Sequence, residues 1–160
     1  MSQSAYLTGA GGFSGIVPSN LPTNTRAVKD ANYIVETALP SAPGTVNGTA
    51  LDLGDVVSGI PYATTETINL QVLSPALTNA MLGSGYTLTY TIQDSADNSS
   101  FTAISTLASQ VLTGAGAGAV ATTYTFKLPP ATRRYVRLSA LAGSSTDDMS
   151  TLKATLQLAF

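Results

Sequence analysis

Tyr86-Thr87-Leu88-Thr89-Tyr90-Thr91-Ile92 alternates without a break, with Tyr86, Leu88, Tyr90 and Ile92 on one side and three threonines on the other. A period of two is that of a β-strand, whose successive side chains point to opposite faces. The apolar set is therefore expected to face a core and the threonines water, the pattern of a half-buried antiparallel strand.

The same reading extends in both directions. Glu66 to Leu73 sets Ile68, Leu70 and Val72 against Thr67, Asn69 and Gln71; Thr122 to Leu128 sets Tyr124, Phe126 and Leu128 against Thr123, Thr125 and Lys127. Arg134 to Ala140 sets Val136, Leu138 and Ala140 against Tyr135, Arg137 and Ser139. The final run sets Leu152, Ala154, Leu156, Leu158 and Phe160 against Lys153, Thr155 and Gln157. Weaker strands are expected at Thr49 to Leu53, Phe101 to Leu107 and Gln110 to Thr113. Turn signals separate them: Gly83-Ser-Gly85, Asp94 to Asn98, Gly114 to Gly118, Pro129-Pro130 and Gly143 to Asp148. The fold class is all-β, an antiparallel β-sandwich of about eight strands, and that number suits a jelly roll. Pro75 to Leu82 is expected to form one helical turn, and the glycine-alanine stretch 114–121 reads as a long, mobile hairpin tip.

Two domains follow, an extended N-terminal arm over 1–45 and a jelly-roll-like β-sandwich over 46–160. The arm carries Gly9, Gly11, Gly12 and Gly15, then Pro18, Pro22, Pro40 and Pro43, with no sustained period, although Arg26 to Leu39 has room for a short helical or strand piece. Apolar residues are scattered through it, among them Phe13, Ile16, Val17 and Leu21. A plain linker seldom carries so many anchors. Two readings are open: the arm folds back on its own domain, or it lies along a neighbouring subunit through extended contacts.

Composition narrows the function. Charged residues make up 10% of the 160, against about 25% in an ordinary globular domain. Serine and threonine, 40 of 160 residues, stand in for them. Such neutral, wettable faces gain little solubility from charge, so burial of much of the surface in an assembly is expected. A net charge of −2 with no basic run gives no footprint for nucleic acid. No apolar stretch approaches the ~20 residues that span a bilayer, and the N-terminal residues do not read as a secretory signal.

Catalysis has little to work with. Histidine and cysteine are absent, which removes the common proton shuttle, the Ser-His-Asp and Cys-His systems and zinc-thiolate sites. Carboxylate pairs remain: Asp94 with Asp97, Asp147 with Asp148, and Asp52 with Asp55. All are read as turn residues, whose side chains bond the local backbone. Asp94 to Asn98 lacks the spacing and closing glutamate of a twelve-residue calcium loop. The glycine-rich stretches carry no phosphate-binding lysine. The expectation is a non-enzymatic protein with no metal and no cofactor. Arg134, Tyr135 and Arg137 are the candidate contact residues of the sandwich; Arg137 and Tyr135 share the outward face, where a guanidinium can stack on a ring or fork onto a carboxylate.

Tyr90-Thr-Ile-Gln-Asp-Ser-Ala-Asp-Asn-Ser-Ser-Phe101-Thr-Ala-Ile, then Arg134-Tyr-Val-Arg-Leu138, and Asp52-Leu-Gly54 near the start of the domain resemble the jelly-roll cement (decoration) proteins of tailed-bacteriophage capsids. The resemblance covers about residues 46–160 and leaves the arm unmatched. It implies a virion structural protein on the capsid exterior, made in the host cytoplasm. Its partners would be the major capsid protein and itself, as a homo-oligomeric dimer or trimer clamping neighbouring shell subunits. The same motifs also resemble discoidin-like carbohydrate- or lipid-binding modules, which implies an adhesin or receptor-binding module instead. Those modules usually carry tryptophan, absent here, so sugar stacking lacks its best platform.

Overall fold

A computed structural model of the protein describes residues 33–53, 69–143 and 147–159. Ile34–Phe160 form one of the two compact units of the chain. Its strands are β1 (Ile34–Ala38), β2 (Gly44–Asn47), β3 (Leu51–Asp52), β4 (Asn69–Ser74), β5 (Thr87–Ser95), β6 (Thr102–Ala103), β7 (Gln110–Thr113), β8 (Thr122–Lys127), β9 (Tyr135–Ala142) and β10 (Lys153–Ala159). One sheet has the order β1-β10-β4-β8; the other runs β2-β9-β5-β6, with β3 also beside β9 and β7 also beside β5. All pairings are antiparallel.

The second sheet is narrower than its strand count implies. β5 lines one edge of β9 from Tyr135 to Ala142, so β2 and β3 must lie end to end along the other. By the same logic β6 and β7 share the free edge of β5. Among the described residues each sheet is four positions wide, and the pairing is nested. The first described strand pairs with the last (β1 with β10), β2 and β3 with β9, β4 with β8, and β5 with β6 and β7. The chain is an all-β sandwich.

Its core is what the alternation predicts except at Tyr86, which precedes β5 and is exposed instead of facing the core. Leu88, Tyr90 and Ile92 of β5 are buried, as are Leu70 and Val72 of β4, Val136, Leu138 and Ala140 of β9, and Ala154, Leu156 and Leu158 of β10. Tyr90 spans the sandwich: its hydroxyl shares a 2.8 Å hydrogen bond with Ser74 Oγ on the opposite sheet, and its ring lies 6.2 Å from that of Tyr124. Burial pushes the phenol up to about 12, against the smaller lowering effect of the Ser74 bond. Above pH ~10 the unfolded tyrosine ionises while the folded one does not, so stability is full below that pH and is lost as pH rises toward 12. Tyr90→Phe is expected to cost about 1 kcal/mol at neutral pH and to flatten the alkaline loss, as read by urea melts between pH 8 and 11.

Among the described residues one buried side-chain group is unsatisfied. Thr37 Oγ1 has no hydrogen-bond partner, and it occupies the space left open by Gly48, whose added Cβ would sit 2.0 Å from it. Exchanging that hydroxyl for a methyl removes a stranded polar atom at nearly constant volume. Thr37→Val is expected to raise stability by about 1 kcal/mol, seen as a higher urea midpoint with an unchanged slope.

The fold corrects several expectations. The sandwich begins at Ile34, not at residue 46: β1 pairs along β10, and β2 along β9. β1 hides in the sequence because apolar Ile34 and Ala38 face outward while Thr37 faces in, and Pro40 and Pro43 break the pattern beyond it. Pro75 to Leu82 makes one turn, closed by the Leu82 amide donating to the Thr78 carbonyl at 2.9 Å, and buries Leu77 and Leu82. The glycine-alanine stretch is not a loose tip. Leu77 and Ala119 exchange two backbone hydrogen bonds at 2.8 Å, and the Gly114 amide donates to the Tyr86 carbonyl at 2.9 Å. Glu66 to Ile68 and Phe160 lie outside the described residues, as does Asp55.

Candidate functional site

The stretch between the paired prolines and the centre of β9 delivers three arginines to three surroundings. Arg133 turns inward. Its backbone amide and Nε donate to Asp94 at 2.9 Å, Nη2 donates to the Asp94 carbonyl at 2.7 Å, and Nη2 also reaches the Asp94 carboxylate and Thr102 Oγ1. Burial pushes the Asp94 carboxyl up, but the hydrogen bonds and charge of Arg133 outweigh it and hold the group below the ordinary carboxylate range. This cluster ties β5 and β6 to the segment entering β9.

Arg134 lies over Asp52 of β3, Nε and Nη2 each 2.8 Å from a carboxylate oxygen. Its guanidinium carbon is 5.1 Å from the centre of the Tyr135 ring. Arg137 stands two register pairs beyond Tyr135 along β9, opposite Gln93. Its Nε donates to Gln93 Oε1 at 2.8 Å, and its guanidinium carbon lies 3.9 Å from the centre of the Phe101 ring. Arg137 is half-buried, and burial alone lowers its pKa. Among the described residues it makes no ion pair. The stacking expected between Arg137 and Tyr135 is thus replaced: Arg137 takes Phe101 and Arg134 takes Tyr135. Cross-strand register explains it, since Gln93 opposite Arg137 fixes the guanidinium toward the β5–β6 side.

The outer face continues past these residues. Leu141, 46% exposed, and Val111, 55% exposed, flank Thr89 in one cross-strand row, with Thr45 beyond Leu141. Cationic and aromatic groups thus occupy one end of this face and apolar side chains the other. Of the candidate contacts, Arg134, Tyr135 and Arg137 come together here, while Phe13, Ile16, Val17 and Leu21 lie outside the described residues. Phe101, Gln93, Leu141 and Val111 were missed. Carrying the β9 alternation two residues further would have placed Leu141 outward; Phe101 gave no local signal, because its position depends on the loop after β5.

The carboxylate pairs are dispersed into structural tasks. Asp94 sits in β5 rather than in a turn, because Arg133 compensates its burial. Asp97 does cap a turn: Oδ1 accepts the Ser99 and Ser100 amides at 2.9 Å and the Ser95 hydroxyl at 2.7 Å, and those bonds hold its carboxyl well below the usual range. Asn98, at φ 58°, makes that turn tight. Asp148 Oδ1 accepts the Ser150 amide at 2.8 Å, and Asp52 belongs to Arg134. Among the described residues no three acidic side chains cluster as a metal site would require, and no helix is long and apolar enough to cross a membrane. No protein-family model matches the chain, and no curated protein matches it either.

Proposed function

We propose that this chain is a non-enzymatic assembly protein of a tailed-phage virion, a cement protein that binds the capsid exterior and stabilises contacts between major capsid subunits. The observation that carries the reading is the outer face of β2, β9, β5 and β7. It joins a half-buried arginine stacked on an aromatic ring to exposed Leu141 and Val111 on a chain that is only 10% charged. Arginine and aromatic anchors beside apolar contacts are the composition of binding hot spots. The nested strand pairing supports a jelly-roll winding, the architecture of the cement proteins that the motifs resemble. Self-association as a dimer or trimer belongs to the same proposal.

The test uses undecorated shells assembled from the major capsid protein of the same virus. Added protein is expected to co-sediment with the shells at fixed stoichiometry and to raise their disruption temperature. Absence of binding at micromolar protein overturns the proposal, and saturable binding to a glycan array in its place would make the chain an adhesin.

A further inference from the structure

Arg137 differs from its two neighbours in what it lacks. Arg133 has Asp94 and Arg134 has Asp52, but Arg137 makes no ion pair among the described residues. A guanidinium carries five N–H donors in a planar fork. Gln93 takes the one on Nε, Phe101 covers a face of the plane, and the two Nη groups have no protein acceptor among the described residues. A half-buried cation that is stacked, oriented and left without its counter-charge has already met much of the cost of ordering an arginine for binding.

We propose that Arg137 is the anchor for a carboxylate on a partner protein, received through both Nη groups in a forked contact and backed by Phe101 and Gln93. The inference deepens the assembly reading above and rests on it for the partner's identity, not for the chemistry. Charge selects the occupant. With Arg133 and Arg134 already neutralised by Asp94 and Asp52, Arg137 is the one of the three guanidiniums without an ion pair among the described residues, suited to one carboxylate and not to a run of phosphates. The apolar row at Leu141 and Val111 begins four residues along β9, about 13 Å away at ~3.3 Å per residue. A protein surface with an acidic side chain beside an aliphatic one matches both ends.

The test separates the chemistry from the partner. In the full-length protein, the Nε–H resonance of Arg137 is followed by NMR while the peptide acetyl-Ala-Asp-Ala-Leu-amide is added, with its Asn counterpart as neutral control. The acidic peptide is expected to shift the Arg137 signal saturably, at least fivefold more strongly than the Asn peptide, and to leave Arg134 nearly unmoved. Phe101→Leu is expected to weaken the response severalfold in a protein that still folds. Equal responses to both peptides, or a larger response at Arg134, overturn the inference whatever the shells do. A second arm measures shell binding: Arg137→Glu is expected to weaken it tenfold or more and Arg137→Lys less, whereas unchanged binding by Arg137→Glu overturns the inference while leaving the cement reading intact. Should Arg137→Glu alter only self-association, the carboxylate would be one of this chain's own and the proposal of a separate partner would fail.

Discussion

Arg133→Ala is expected to lower stability, seen as a clear fall in Tm and in the urea midpoint. The substitution removes every side-chain bond to Asp94 and the one to Thr102, keeping only the 2.9 Å backbone amide contact. A carboxylate with 10% of its side chain exposed is then left without its charge partner. A fully buried pair broken this way costs ~3–5 kcal/mol; the Arg133 side chain is 37% exposed, and solvent screening reduces the figure. The pH dependence carries a sign that checks the cause. Asp94 titrates below its unfolded value in the native protein, so its contribution is complete above pH ~4 and is lost as pH falls through the folded pKa. In Arg133→Ala burial acts on Asp94 against only the backbone amide bonds from Arg133 and from Asp94 itself, its pKa rises, and acid unfolding is expected to begin at higher pH. Urea melts from pH 2.5 to 7 check both claims, and a double-mutant cycle with Asp94→Asn isolates the pair. An additive cycle would show that the bond network contributes nothing beyond packing.

Gly118→Ala is expected to cost about 3 kcal/mol or more, for two separable reasons. Gly118 has φ 93°, a conformation that strains any residue with a Cβ by ~1–3 kcal/mol. An added Cβ would also lie 2.1 Å from the Leu77 carbonyl oxygen and 2.5 Å from the Thr78 carbonyl carbon, backbone that can retreat only by breaking the Leu77–Ala119 pair. Two other glycines grade the effect. Gly85, at φ 83° with nothing within 4 Å of its added Cβ, is expected to lose about 1 kcal/mol as alanine, from strain alone. Gly116 is equally open and has no positive φ, so its alanine variant is expected to change stability by less than about 0.5 kcal/mol. Chemical denaturation of the three variants reads the series; equal costs at all three positions would mean that neither strain nor the close approach matters.

The contrast between these residues shows why some of the molecule was legible in advance. Leu88 to Ile92 announced β5 because one face is buried and the other wet, so local chemistry and tertiary environment agree. β9 and β10 were readable for the same reason. β1 was not, since an edge strand with Ile34 outward and Thr37 inward obeys no clean alternation. The 114–121 stretch read as mobile because glycine and alanine carry no packing signal of their own; its order comes from backbone pairing of Ala119 with Leu77, forty-two residues earlier in the chain.

The candidate site divides along the same line. Alternation alone set Arg137 and Tyr135 on the outward face, and composition alone removed histidine, cysteine and tryptophan chemistry, because each is a property of single positions or of counts. Which arginine keeps a free guanidinium was decided only by tertiary register. Arg133, Arg134 and Arg137 are chemically identical, and what separates them is that β5 brings Asp94 to the first, β3 brings Asp52 to the second, and the third meets Gln93 and Phe101. The period of two says which face a side chain is on; only the pairing of strands distant in the chain says which charge waits there.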